Sequence, residues 1–187
     1  MSKAAGALCN SISDAGRVEL SESDVALVGN NSALTGQFAV DTDSRLTAFS
    51  AENLGSAEVS NSGSLVLNSN TDWQLDNDVY GSGDVTKLGA GSITVGDNAA
   101  WTGKTEIEQG GLVLGDGTSP VTLASTEVNI AAAGMLSGTG GVAGHVNNAG
   151  VLQVGTGTGD NLLFTVGGDL VNSGTLATGV NGQQAGN

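Results

Sequence analysis

The sequence has little of what most enzymes and nucleic-acid binders are built from. Its 187 residues include one cysteine, Cys9, so no internal disulfide can form. One histidine, His145, with no second histidine or cysteine beside it, is poor material for a zinc centre. Aromatic residues make up 3% of the chain and proline occurs once, at Pro120. Positive charge is scarce as well. Five Lys+Arg stand against 19 Asp+Glu, and the net charge of −14 argues against nucleic acid or an anionic membrane surface as partner. No apolar run is long enough for a transmembrane helix. Met1-Ser2-Lys3 has no apolar stretch behind it and is not a secretory signal, and both ends read as cuts through a longer chain.

Glycine is what the chain has in excess: 31 residues, without the Gly-X-Y period of collagen. Val, Leu, Ile and Phe supply about a quarter of the sequence, enough to build a core. Helical periodicity is poor except over residues 2–13, where a short capping helix is expected. Elsewhere short runs alternate apolar and polar between Gly, Asn, Asp and Ser, the signature of strands and turns.

The runs repeat. A glycine followed by an alternating apolar pair opens at Gly16, Gly36, Gly63, Gly91, Gly110, Gly150 and Gly174, with a truncated copy at Gly134. Two matches extend further. Asn148-Ala149-Gly150-Val151-Leu152 matches Asn172-Ser173-Gly174-Thr175-Leu176. Gly63 through Trp73 matches Gly91 through Trp101, keeping Asn70 and Asn98 in step. A period near two dozen residues is too short for a propeller blade and fits a solenoid. Three short strands and three turns fill such a coil. The expected fold is therefore all-β, a parallel β-helix of about eight coils. Leu65, Leu67, Ile93, Val95, Leu112, Leu114, Leu152 and Leu176 are expected to form an inward-facing stack. Trp73 and Trp101 join that stack, one above the other on adjacent coils, as core or groove fillers; the rival role for them is an aromatic platform for carbohydrate or protein. Asn70 and Asn98 are expected in turns, where they can form a hydrogen-bonded ladder.

The string Asp84-Val85-Thr86-Lys87-Leu88-Gly89-Ala90-Gly91-Ser92-Ile93-Thr94-Val95 resembles the strand repeat of bacterial autotransporter (type V secretion) passenger domains, of the AIDA and pertactin kind. Asp97-Asn98-Ala99-Ala100-Trp101-Thr102-Gly103-Lys104-Thr105 and Glu108-Gln109-Gly110-Gly111-Leu112-Val113-Leu114-Gly115 are similar to its continuation. The close resemblance covers residues 73–115, and a looser one runs to 179. It implies a right-handed β-helix secreted through the outer membrane and displayed on a Gram-negative surface, attached or released. The chain is then one β-helical passenger fragment over residues 1–187, with weakly matching coils or a cap over 1–60 and repeat-rich coils over 61–187. Contact with a membrane would come only through a C-terminal β-barrel that is not in this sequence.

Candidate chemistry is thin. His145 has no evident nucleophile, no Gly-x-Ser-x-Gly elbow is present, and no cofactor is expected. Asp41, Asp43, Asp76 and Asp78 alternate and could pair on a strand face for calcium, but solvated turns explain them as well. Gly155-Thr156-Gly157-Thr158-Gly159-Asp160-Asn161-Leu162 is a single imperfect copy of a calcium-binding nonapeptide, which needs tandem copies. Gly81-Ser82-Gly83 and Gly89-Ala90-Gly91 lack the continuation of a phosphate loop. The repeat implies a rigid scaffold, and the resemblance implies that it is non-enzymatic and acts in adhesion, autoaggregation or biofilm formation. Its expected partners are a host or bacterial surface protein or glycan, or a second copy. The alternatives are a β-helical polysaccharide-processing enzyme and a stalk or autochaperone region supporting passenger folding.

Overall fold

The computed structural model describes residues 4–117, 119–154 and 163–178. It is almost entirely β, and every pairing between named strands is parallel. The chain winds as a β-solenoid of about eight turns with three faces.

The first face runs the length of the rod. Its strands are Ala4–Leu8, Ser23–Leu27, Arg45–Ala48, Ser64–Asn68, Asp84–Leu88, the opening parts of Thr105–Leu114 and Glu127–Gly138, then His145–Asn148 and Leu170–Asn172. The third face comprises Arg17–Leu20, Gln37–Val40, Glu58–Asn61, Val79–Gly81 and Ala99–Trp101, followed by a separate ladder of Val121–Leu123, Gly140–Val142 and Phe164–Val166. The second face begins at Trp73–Leu75 and continues through Ser92–Val95, the later parts of the two long strands, Val151–Val154 and Thr175–Thr178. The preceding coil fills that side instead with a four-residue helix, Ala51–Leu54, whose first turn is fixed by the Asn53 Oδ1 accepting the Phe49 and Ser50 N–H groups.

Why the chain coils follows from its alternation. Alternate positions of a strand face inward and the rest outward, and in-register parallel pairing stacks like on like. On the first face Leu46, Leu65, Val85, Thr105, Val128 and Val146 form one inner column. On the second, Ile93, Leu112, Leu136 and Leu152 form another, all essentially buried. Leu67, Val95 and Leu114 are buried in the neighbouring columns. Leu176 continues the Leu152 column but is 48% exposed, because no described coil lies beyond it. Corners demand tight backbone. Gly110 bends the strand Thr105–Leu114 from the first face to the second at φ 71°, and a Cβ there would collide with the carbonyl oxygens of Gly89 and Gly91 in the coil below.

Three expectations are corrected. Residues 4–8 form a strand paired with Ser23–Leu27, not a capping helix; Ala-Ala-Gly-Ala-Leu has helix-tolerant residues, but the exposed strand edge next to it supplies a complete ladder. The Gly63/Gly91 match is not one coil. Ser64 pairs with Asp84, and Ile93 with Trp73, so Leu65 and Ile93 lie on different faces. Trp73 and Trp101 therefore do not stack. Trp73 is on the second face beside Ile93, half-buried. Trp101 is on the third face beside Gly81, fully buried, its Nε1 donating to Thr105 Oγ1 at 2.8 Å. Every face needs a tight corner followed by an alternating apolar pair, so one glycine motif serves all three and does not count coils.

Candidate functional surfaces

Interior polar groups come first, because they fix the corners. Lys87 occupies an inner position in the column of Ala48, Leu67, Ile107 and Ile130, and is 1% exposed. Its Nζ donates to the carbonyl oxygens of Leu88 (2.7 Å), Gly89 (2.8 Å) and Gln109 (3.1 Å). Three donors meet three acceptors, so the charge is bound by the two corners that carry Gly89 and Gly110. Burial lowers the Lys87 pKa from its ordinary value, and Asp72 opposes the shift. The lysine of the Thr86–Gly91 motif is thus a corner clamp. Asparagines at the corners act likewise. Asn98 Nδ2 reaches the carbonyls of Leu75 and Asn77, and Asn77 Nδ2 reaches those of Gly55 and Ala57. This ladder joins Asn98 to Asn77 rather than to Asn70, whose Oδ1 accepts the Ala90 N–H.

The sequence-level chemical candidates do not converge. His145 is exposed; its Nδ1 accepts the Asp169 N–H at 2.9 Å and lies 3.5 Å from Asp169 Oδ2. Asp41 Oδ1 accepts the Asp43 N–H, and Asp76 Oδ1 accepts from Gln74. Among the described residues no three His, Cys, Asp or Glu side chains gather in a metal-binding arrangement. Residues 155–162 lie outside the described residues. Cys9 is exposed.

Two outward surfaces are more organised. The first is a charged column on the edge of the first face. Register places Asp24, Arg45, Ser64, Asp84, Lys104, Glu127, His145 and Asp169 one coil apart in that order. Contacts follow the column. Arg45 is 3.9 Å from Asp24, Lys104 is 3.4 Å from Glu127, and the Lys104 N–H donates to Asp84 Oδ1 at 2.8 Å. The Asn129 amide, and Lys104 beside it, hold the Glu127 carboxyl below the usual range. Signs alternate about a neutral centre: Asp24 and Arg45 precede Ser64, and Asp84 and Lys104 follow it. A groove of about 410 Å³ lies at this centre, bordered by Thr42, Ser44, Arg45 and Ser64.

The second surface is the outer side of the third face. One column reads Glu19, Ala39, Ser60, Tyr80, Ala100, and the column beside it Arg17, Gln37, Glu58. Tyr80 is the single tyrosine of the sequence. Its hydroxyl accepts from Gln37 Nε2 at 2.7 Å and donates to Glu58 Oε2 at 3.4 Å. Gln37 stands two coils away, so the ring lies back along the rod across the Glu58–Ser60 coil. Sequence reading missed both surfaces, since each exists only once the coil lengths are known.

No protein-family model matches the chain, and no solved structure matches it. Two curated proteins of Escherichia coli (strain K12) do. The uncharacterized protein YuaQ is 53% identical over 131 residues, which is 70% of this chain and 10% of that protein. The uncharacterized lipoprotein YdeK is 42% identical over 144 residues, 76% of this chain and 11% of that protein. The chain spans about a tenth of the length of these curated relatives.

Proposed function

We propose that the chain is a rigid, non-enzymatic β-helical segment of a longer autotransporter-type passenger, displayed at the bacterial surface and acting in adhesion and autoaggregation. The charged column carries this reading. Two rods laid side by side and end for end about Ser64 place Arg45 opposite Asp84 and Asp24 opposite Lys104, each twice. The coil spacing of about 4.8 Å is the same on both copies, so the pairs stay in step. Across a surface of net charge −14, this column holds two of the three exposed cations among the described residues, Arg45 and Lys104, the third being Arg17. Like-charge repulsion between copies is therefore smallest here.

Further support comes from the resemblance over residues 73–115, whose lysine and glycines hold a corner between stacked coils. The much greater length of the relatives suits a long displayed rod. One relative, YdeK, is named a lipoprotein, which supports membrane or surface association, and we extend this to extracellular display, attached or released.

The test uses the full-length protein on Gram-negative cells. One variant makes the column positive (Asp24→Lys with Asp84→Lys), and another makes it negative (Arg45→Asp with Lys104→Asp). Each strain alone is expected to settle slowly, and a mixture of the two to aggregate, with surface exposure to added protease unchanged. A protein that stays inside the cell, or settling indifferent to both variants, overturns the reading.

A further inference from the structure

We propose that the outer side of the third face binds a neutral oligosaccharide, in a groove running along the rod from the Arg17–Glu19 coil to the Ser60–Ser62 coil, with Tyr80 on the next coil beyond its end. The site is distinct from the charged column and does not depend on rods pairing. Its floor is low because Ala39 and Ser60 follow one another between the larger Glu19 and Tyr80. That leaves a groove of about 320 Å³, lined by Arg17, Glu19, Ala39, Asp41, Ser60 and Ser62. From Glu19 to Tyr80 are three coil steps, roughly 14 Å, the length of a short oligosaccharide.

The side chains suit that ligand class. A pyranose has an apolar face of C–H groups and a rim of hydroxyls that both donate and accept. Tyr80 offers an aromatic ring, 36% exposed, whose hydroxyl is tied down by Gln37 and Glu58. A tethered ring loses little freedom on binding and presents a fixed platform. Around the floor stand acceptors and donors suited to sugar hydroxyls: the Asp41 and Glu19 carboxylates, the Arg17 guanidinium 3.3 Å from Glu19, and the Ser60 and Ser62 hydroxyls. Hydrogen bonding from Ser44 keeps the Asp41 carboxyl below its usual range, so it remains an acceptor. Charge decides between sugar classes. This side of the rod carries Glu19, Asp41, Glu58 and Asp78 against one cation, Arg17, which disfavours uronic acids and other acidic sugars.

Saturation-transfer NMR on the purified chain tests this with maltotriose, cellotriose and tri-N-acetylchitotriose, and with trigalacturonic acid as the acidic control. At least one neutral trisaccharide is expected to bind and the acidic one not to. Tyr80→Ala and the floor-filling Ser60→Leu are each expected to weaken binding about tenfold, the scale of one aromatic contact. Tyr80→Phe, which keeps the ring and loses its tether, is expected to weaken it less. Circular dichroism and thermal unfolding of each variant establish that the rod is intact. Three results overturn the proposal: no neutral trisaccharide binds, the acidic one binds equally well, or folded Tyr80→Ala and Ser60→Leu both keep full affinity.

Discussion

Lys87 shows how one residue can serve the whole rod. Its stem continues an apolar column while its ammonium closes two successive corners. Lys87→Met keeps the stem and strands the carbonyls of Gly89 and Gln109, so a loss of about 1–3 kcal/mol is expected in denaturant unfolding. The pH dependence has a definite sign. Burial lowers the folded-state pKa, so the folded chain releases this proton at lower pH than the unfolded chain does. The desolvation cost is full at neutral pH and eases as pH rises toward the unfolded lysine value of about 10.4. The stability gap between wild type and Lys87→Met is expected to widen just below that value. A gap that narrows there, measured by urea midpoints at several pH values, would show that the shift runs the other way.

Corners and strands respond differently to change, and that difference also explains what could be read in advance. Gly110→Ala forces a side chain into a left-handed φ of 71° and against two carbonyl oxygens, and is expected to cost more than about 1 kcal/mol. One residue inserted between Ile93 and Thr94 turns Val95 outward and breaks the second-face column. The same insertion between Gly96 and Asp97, in the turn before Ala99–Trp101, lengthens a corner only. Thermal unfolding is expected to separate the two insertions by several degrees. The stacking of apolar pairs was legible because alternation is local. The Asn148/Asn172 match was legible too, since those residues pair directly, with the Asn148 Nδ2 donating to Asn172 Oδ1. Coil length was not legible where Gly63 and Gly91 mimic one another, because a strand's sequence does not say which of three faces it occupies. Lys87 was visible only as part of a motif. The Tyr80–Gln37–Glu58 group spans 43 residues and needs the coil register to be seen.

At the scale of the whole molecule, uniform coil spacing turns side-chain identity into a pattern along an axis. Neither the charged column nor the glycan groove is a pocket; each is a sequence of residues read once per coil. Self-association through the column then has an unusual salt dependence. Net charge of −14 makes two rods repel at long range, and salt relieves this as the screening length falls to about 10 Å at 0.1 M. The paired charges of the column attract at contact, where added salt weakens them more slowly. Association is therefore expected to rise from about 0.01 to 0.1 M NaCl and to fall again toward 1 M, where the screening length is about 3 Å. Sedimentation velocity across that range distinguishes the mechanism from simple charge neutralisation, which predicts a steady rise. The negative-column variant, Arg45→Asp with Lys104→Asp, retains the long-range repulsion but has no complementary contacts, so its curve is expected to lack the maximum. A monotonic curve shared by both proteins would remove the column as the contact surface.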